Sequence, residues 1–274
     1  TVLAYLSDVY LTQTGWPIKN SAKAAQAASV AKEVIDSKSS YGFDLYQGDF
    51  LKIFAGGTPE DVFALQTDGN VTNNLFYGLA AMPVDIDGWN DFQAEINFFI
   101  DFPAGNRKDG TFLTSVTKDG QVIQWQNFEL KHPYYKKFWI QNGDPFTYYS
   151  KNPIIMMRYA EVLLIYAEAK ARAGSADGDA YNAINAVRQR AGLADLTPGL
   201  NSDDFIKAVV QERAWEFAAE WHRWFDLVRT ETVGTANANR NANEIPLIGN
   251  PSDQSKWLLP IPAGDASINP NLGK

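Results

Sequence analysis

Cysteine is absent from the 274 residues, which excludes disulfides, thiolate zinc sites, iron–sulfur clusters and cysteine nucleophiles. Histidine is nearly as scarce: His132 and His222 are too few for a histidine-rich metal site and do not form H-E-x-x-H. No stretch reaches about 18 uninterrupted apolar residues, so no membrane-spanning helix is expected, and Thr1 opens into a helix-like pattern without the basic and apolar regions of a signal peptide. Basic residues are outnumbered. The 24 Lys and Arg face 32 Asp and Glu, a net charge of -8 that repels phosphate backbones, so no nucleic-acid partner is expected. Also missing are G-x-S-x-G, G-x-x-x-x-G-K-[ST] and G-x-G-x-x-G, the minimal local signals of serine esterases and nucleotide binders. What remains suits a compact chain: 45% of residues are hydrophobic, 13% aromatic and only 20% charged.

Residues 1–37 read as a helical hairpin. Val2, Leu3, Leu6, Val9 and Tyr10 recur at helical spacing, Gly15-Trp16-Pro17 breaks the chain, and Ala24, Ala27, Ala28, Ala31, Val34 and Ile35 form a small-residue stripe on a second helix. Asn20 or Ser21 is placed to cap that helix. From 38 to 153, Gly, Asn, Asp and Pro punctuate short segments such as 62–66, 98–102 and 121–130, which predicts a loop-rich region with a few short strands. Helical periodicity returns over 154–230. Tyr159, Val162, Leu163, Tyr166 and Ala167 mark one helix ended by Gly174, and Asp177 or Asp179 starts the next. Ser202 or Asp203 caps a third, carrying Ile206, Val210, Phe217, Trp221, Trp224 and Val228 on one side, which marks the tryptophans as packing residues. The Asn- and Pro-rich stretch 231–274, with Leu259-Pro260-Ile261-Pro262, predicts a wrapping segment without regular structure. The expected fold class is mainly α: tetratricopeptide-like hairpins packed around the loop-rich region. Gly15 with Ala27 and Gly174 with Ala186, each a turn glycine and a small residue twelve positions on, carry the repeat signal.

Glu212, Glu216 and Glu220 stand at i, i+4 and i+8, so three like charges would stack on one strip of the third helix beside Trp and Phe. Cations must lie close by. Arg213 and Arg223 are local, and Arg158, Arg188 and Arg190 come from the preceding hairpin. A buried ion network fixing helix register is one reading; a general acid and base pair of a glycoside hydrolase is the other. Metal chemistry finds little support. Glu129 and His132 form one E-x-x-H, but Ala219 stands where His222 would need its glutamate, and Gly88 is misplaced for an EF-hand loop through Asp85, Asp87, Asn90 and Asp91.

The run Met157-Arg158-Tyr159-Ala160-Glu161-Val162-Leu163-Leu164-Ile165-Tyr166-Ala167-Glu168-Ala169 closely resembles the R-x-A-E-V-x-L-x-x-A-E-A helix of the SusD/RagB family. Three further blocks follow in that family's order. They are Ile184-Asn185-Ala186-Val187-Arg188-Gln189-Arg190-Ala191-Gly192-Leu193; Glu212-Arg213 through Arg223-Trp224-Phe225-Asp226-Leu227-Val228-Arg229; and Leu259-Pro260-Ile261-Pro262 leading to Asn269-Pro270-Asn271-Leu272. The opening hairpin and the stretch from Asp101 to Arg107 before Thr111-Phe112 are similar too, so the resemblance spans nearly the whole chain. Trp221 stands where the family commonly has Gly, and Phe217 where it has Leu. Family members are considerably longer and begin with a lipoprotein signal and lipidated Cys, so 1–274 reads as one N-terminally truncated SusD/RagB-type domain.

The resemblance implies a non-catalytic protein on the outer membrane of Bacteroidetes-type bacteria, facing the cell surface; the residues themselves call for no cofactor or metal. It would bind an oligosaccharide, polysaccharide or other nutrient for a SusC-type TonB-dependent transporter, touching the membrane only through an upstream lipid anchor. Sugars present apolar C–H faces ringed by hydroxyls, so capture sites combine aromatic platforms with Asn, Asp, Gln or Arg. Residues 68–91 have that composition. Tyr77, Trp89 and Phe76 are the expected platforms, with Asn73, Asn74 and Asp87 as polar partners. Trp125, Trp139, Tyr148 and Tyr149 are second candidates. Two alternatives stay open: a glycoside hydrolase using Glu212, Glu216 and Glu220, and a tetratricopeptide-type scaffold that binds peptides in a concave groove between its hairpins.

Overall fold

A computed structural model describes residues 1–68, 78–139, 150–174 and 176–273. Its helices are α1 Val2–Gln13, α2 Lys23–Asp36, α3 Lys38–Tyr41, α4 Ile96–Asp101, α5 Asn106–Thr111, α6 Tyr159–Arg172, α7 Gly178–Arg190, α8 Ser202–Glu216, α9 Arg223–Arg229, α10 Val233–Ala236 and α11 Ala263–Ile268. The strands are β1 Asp61–Leu65, β2 Phe112–Leu113, β3 Ser115–Lys118, β4 Gln121–Gln124, β5 Tyr134–Tyr135 and β6 Ile154–Arg158. The mainly α class holds.

Helix α6 is the centre of the fold. Every residue from Tyr159 to Ala169 is buried, the ion-paired Glu161 and Glu168 included, and α1, α2, α7 and α8 pack about it. The alanine stripe of α2 lets two helices approach at once: Ala24, Ala27, Ala28 and Ala31 are buried, with α1 on one side and α6 on the other. Asp177 caps α7, accepting from the Ala180 amide at 3.2 Å. Two other caps differ from expectation. Ala22 precedes α2 without a side-chain bond, because Asn20 and Ser21 serve the Lys23 and Ala24 amides through their main-chain carbonyls instead. Helix α8 is capped by Asn201, which accepts from the Asp204 amide at 2.9 Å.

The third helix does not run on to Val228. It ends at Glu216, the chain turns through left-handed Ala219 and Trp221, and α9 starts at Arg223. The cause lies in the cations around the Glu216 carbonyl. Lys137 Nζ donates to it at 2.9 Å and Arg158 Nη2 at 3.1 Å, so the Glu220 amide turns to Phe217 O in a tighter turn. The break also undoes the expected packing stripe. Trp221 and Trp224 are 49% and 45% exposed, whereas Trp215 is half-buried against Ala94, Phe102, Phe112 and Ala218.

Among the described residues the strands form three separate antiparallel pairs, β1 with β6, β2 with β5, and β3 with β4. The β1–β6 pair ties the loop-rich region to α6, since β6 runs directly into that helix. Left-handed Asp119 and Gly120 make the β3–β4 turn. Segment 98–102 lies in and just after α4, capped by Glu95, and forms no strand. The tail departs from the expectation of no regular structure: it carries α10, α11 and short 3-10 turns, and Trp257 anchors it edge-on to Trp16 at 5.3 Å. Gly15 is required there by close approach, because a Cβ would overlap the Arg229 carbonyl oxygen, which accepts from the Trp16 amide. Gly174 has a different reason, a φ of +93° past the end of α6.

Candidate functional site

The chemistry-bearing residues divide between a buried ionic core and the loop region above it. Arg158, the last residue of β6, faces three carboxylates. Its Nε donates to Glu220 at 2.7 Å and its Nη1 to Glu60 at 2.6 Å and Glu216 at 2.7 Å. Arg107 from α5 bridges Glu212 and Glu216 at 2.6 and 3.0 Å, Arg188 takes the other Glu212 oxygen at 2.9 Å, and Arg190 reaches Glu60 and Glu216. Burial alone pushes the Glu216 carboxyl up, but Arg190, Arg158 and Arg107 outweigh it and hold the group well below the usual carboxylate range. Glu220 is lowered in the same way by Arg158 and Lys137. Lys137 is pushed down to about 8 by burial, against the pull of Glu220.

The column of Glu212, Glu216 and Glu220 is thus a guanidinium-paired network. Glu212 and Glu216 have no exposure to solvent, whereas a catalytic acid needs an open cleft, and Glu216 is held low where such an acid needs a raised pKa. Arg213 is occupied elsewhere, on Asp226 at 2.9 Å and Glu161 at 3.3 Å. Sequence reasoning missed Glu60, Arg107 and Lys137. Arg107 had a signal, since its stretch resembled the family; Glu60 sits in a turn with nothing to mark it. Among the described residues no three His, Asp or Glu side chains converge as a metal site. The Asp85 carboxylate instead accepts from the Glu129 amide at 3.2 Å.

Of the residues expected to hold a ligand, Trp89 and Asp87 are described; Asn73, Asn74, Phe76 and Tyr77 lie outside the described residues, as do Tyr148 and Tyr149. Trp89 is 47% exposed on a braced loop. The Trp89, Asn90 and Asp91 amides bond to Leu79, Met82 and Ala80 carbonyls at 2.9, 3.1 and 3.2 Å, and the Asn90 side chain accepts from Val84 N at 2.7 Å. Gly88 is needed here because a Cβ would overlap Met82. Asp87, left-handed and exposed, closes the turn beside Trp89. Trp139 is half-buried against Leu113, Val116, Phe128 and Tyr134. Trp125 lines a recess of about 380 Å³ with Phe99, Phe112, Lys108, Lys136 and Gln124. Its ring meets Phe99 edge-on at 5.7 Å. Between the helices of the two hairpins, Lys32, Tyr159, Tyr166 and Asn182 line a recess of about 290 Å³.

The mainly helical frame is that of solved SusD superfamily proteins. The sequence profile described as the SusD family matches residues 123–274, and the chain belongs to that family. SusD-like protein P2 of Formosa agariphila is 26% identical over 99% of this chain, which spans 58% of that protein's length. The fold is shared with a SusD superfamily protein from Parabacteroides distasonis, at a TM-score of 0.77 and 24% identity over 98% of this chain and 61% of the other. It is also shared with surface glycan-binding protein A from Bacteroides thetaiotaomicron, solved in complex with laminarihexaose, at 0.63 and 20% over 84% and 54%.

Proposed function

We propose that this chain captures an oligosaccharide or polysaccharide at the outer surface of the outer membrane and delivers it to a SusC-type TonB-dependent transporter, without catalysing a reaction. The observation that carries the reading is Trp89, a large aromatic ring half exposed on a loop whose backbone is braced by hydrogen bonds. A rigid platform of this kind stacks on the apolar face of a sugar with little ordering cost. Tyr77 and Phe76 are proposed to extend the platform, with Asn73, Asn74 and Asp87 taking sugar hydroxyls. That a fold neighbour was solved with laminarihexaose supports a glucan-type or other neutral glycan as the ligand class. The carboxylates that a hydrolase would need are committed to guanidinium groups, which favours binding over catalysis.

The four stretches 1–37, 38–153, 154–230 and 231–274 are proposed to act as one domain. Glu60, Arg107 and Lys137 of the second reach into the ion network of the third, and Trp257 of the fourth packs on Trp16 of the first. Affinity electrophoresis or calorimetry against a polysaccharide panel tests the function. Trp89→Ala is expected to weaken binding of every positive glycan about tenfold, a loss of ~1–2 kcal/mol. Unchanged binding removes Trp89 from the site.

A further inference from the structure

A cleft of about 730 Å³ opens away from the loop region, between the α1–α2 turn, α8, and α9 with the turn that follows it. Its wall carries Lys19, Arg172, Lys207, Arg223 and Arg229 beside Asp203 and Glu231. Four of those cations are already engaged. Lys19 pairs with Glu231 at 2.7 Å, Arg172 and Arg229 with Glu168, and Lys207 with Asp204 at 2.9 Å. Arg223 is the exception: its partly buried guanidinium makes no hydrogen bond or ion pair with any described residue. Asp226, whose charge acts on it, is taken by Arg213 and Arg229. A partly buried guanidinium with open donors is matched by a planar two-oxygen acceptor.

The rest of the wall suits a sugar ring. Trp16 is half-buried and held from behind by Trp257, and its backbone amide is bonded to Arg229 O at 3.0 Å, so the indole is a fixed platform. Gln211 and Thr235 have side chains free of intramolecular hydrogen bonds among the described residues, and Asp203 can accept from ligand hydroxyls. We propose that this cleft is a second carbohydrate site that takes a uronic-acid unit, its carboxylate on Arg223, its ring on Trp16 and its hydroxyls on Gln211, Thr235 and Asp203. It is separate from the Trp89 loop, so it stands or falls independently of the neutral-glycan reading.

Isothermal calorimetry on the full chain tests it with an oligogalacturonate, a neutral oligosaccharide of similar length and inorganic sulfate. The oligogalacturonate is expected to bind, and Arg223→Gln to weaken it about tenfold or more through loss of a charge-assisted pair. Arg223→Lys should recover part of that loss. Lys118→Gln, which removes a positive charge from the exposed β3–β4 hairpin instead, should leave the affinity unchanged. Thermal melting of Arg223→Gln should match the parent chain, since the side chain holds no hydrogen bond or ion pair to a described residue. Absence of oligogalacturonate binding, an affinity indifferent to Arg223→Gln, equal binding of the neutral oligosaccharide, or sulfate bound as tightly as the uronate each overturns the proposal.

Discussion

Arg158 grips Glu216 twice, its Nη1 on the carboxylate at 2.7 Å and its Nη2 on the main-chain carbonyl at 3.1 Å. One guanidinium therefore neutralises the last residue of α8 and also takes the acceptor that would let the helix continue. The ion network and the helix break are one feature, and the exposure of Trp221 and Trp224 follows from it.

Removing one partner of this buried pair leaves the other charged and desolvated. Arg158→Met is expected to cost about 3–5 kcal/mol, read as a fall in the urea midpoint or as loss of soluble folded chain. A loss below ~1 kcal/mol shows that the network contributes little to stability.

Acid should weaken the fold through the same carboxylates. Glu216, Glu220, Glu168 and Asp226 are all held below their ordinary values in the folded chain, whereas the unfolded chain titrates at about 4.3 for Glu and 3.9 for Asp. A lowered folded pKa adds stability that is fully present above the unfolded value and lost as pH falls toward the folded one. Urea midpoints should be level from about pH 7 to 5 and decline below about pH 4. Glu161, raised by burial, acts in the opposite sense and offsets part of the decline as it protonates. Glu216→Gln should show a shallower decline; an identical one removes Glu216 from the cause.

The two turn glycines make different demands, so alanine separates them. Gly15→Ala must push the α1–α2 turn off the Arg229 carbonyl and is expected to cost about 3 kcal/mol. Gly174→Ala meets no neighbouring atom and bears only the left-handed backbone, about 1–2 kcal/mol. Thermal melting of both variants checks the order, and a larger loss at Gly174 contradicts it.

Trp257 is buried, with its indole N–H on Pro251 O at 2.9 Å. Trp257→Ala should cost about 3–5 kcal/mol if the tail unfolds together with the body. Limited proteolysis gives the alternative: rapid cleavage within 231–274 at an unchanged melting temperature shows a tail that detaches by itself.

Much of this was legible in the residues. The α1–α2 hairpin, an aspartate cap on α7 at Asp177 or Asp179 and Gly174 as its predecessor's stop all rest on neighbours a few positions apart. So did the pairing of the glutamate column with arginines, because three like charges on one strip demand counterions wherever they fold. Composition singled out Trp89 among the expected ligand residues, whereas its exposure and its bracing came only with the fold, since the Leu79, Ala80 and Met82 carbonyls carry no side-chain signature. The recess at Trp125 and the open guanidinium of Arg223 were likewise invisible, each assembled from distant elements.

Taken alone, the amino-acid order determined a mainly helical chain, its family likeness and its need for buried cations, all consequences of periodicity, capping and charge spacing along one strand of backbone. Only the tertiary structure decided which cations answer: Arg107 meets Glu212 across 105 residues and Glu60 meets Arg158 across 98. Desolvation is the physical reason. Whether a carboxylate becomes a paired strut or a reactive acid depends on which charges share its dry surroundings, and those arrive from parts of the chain that no local pattern connects.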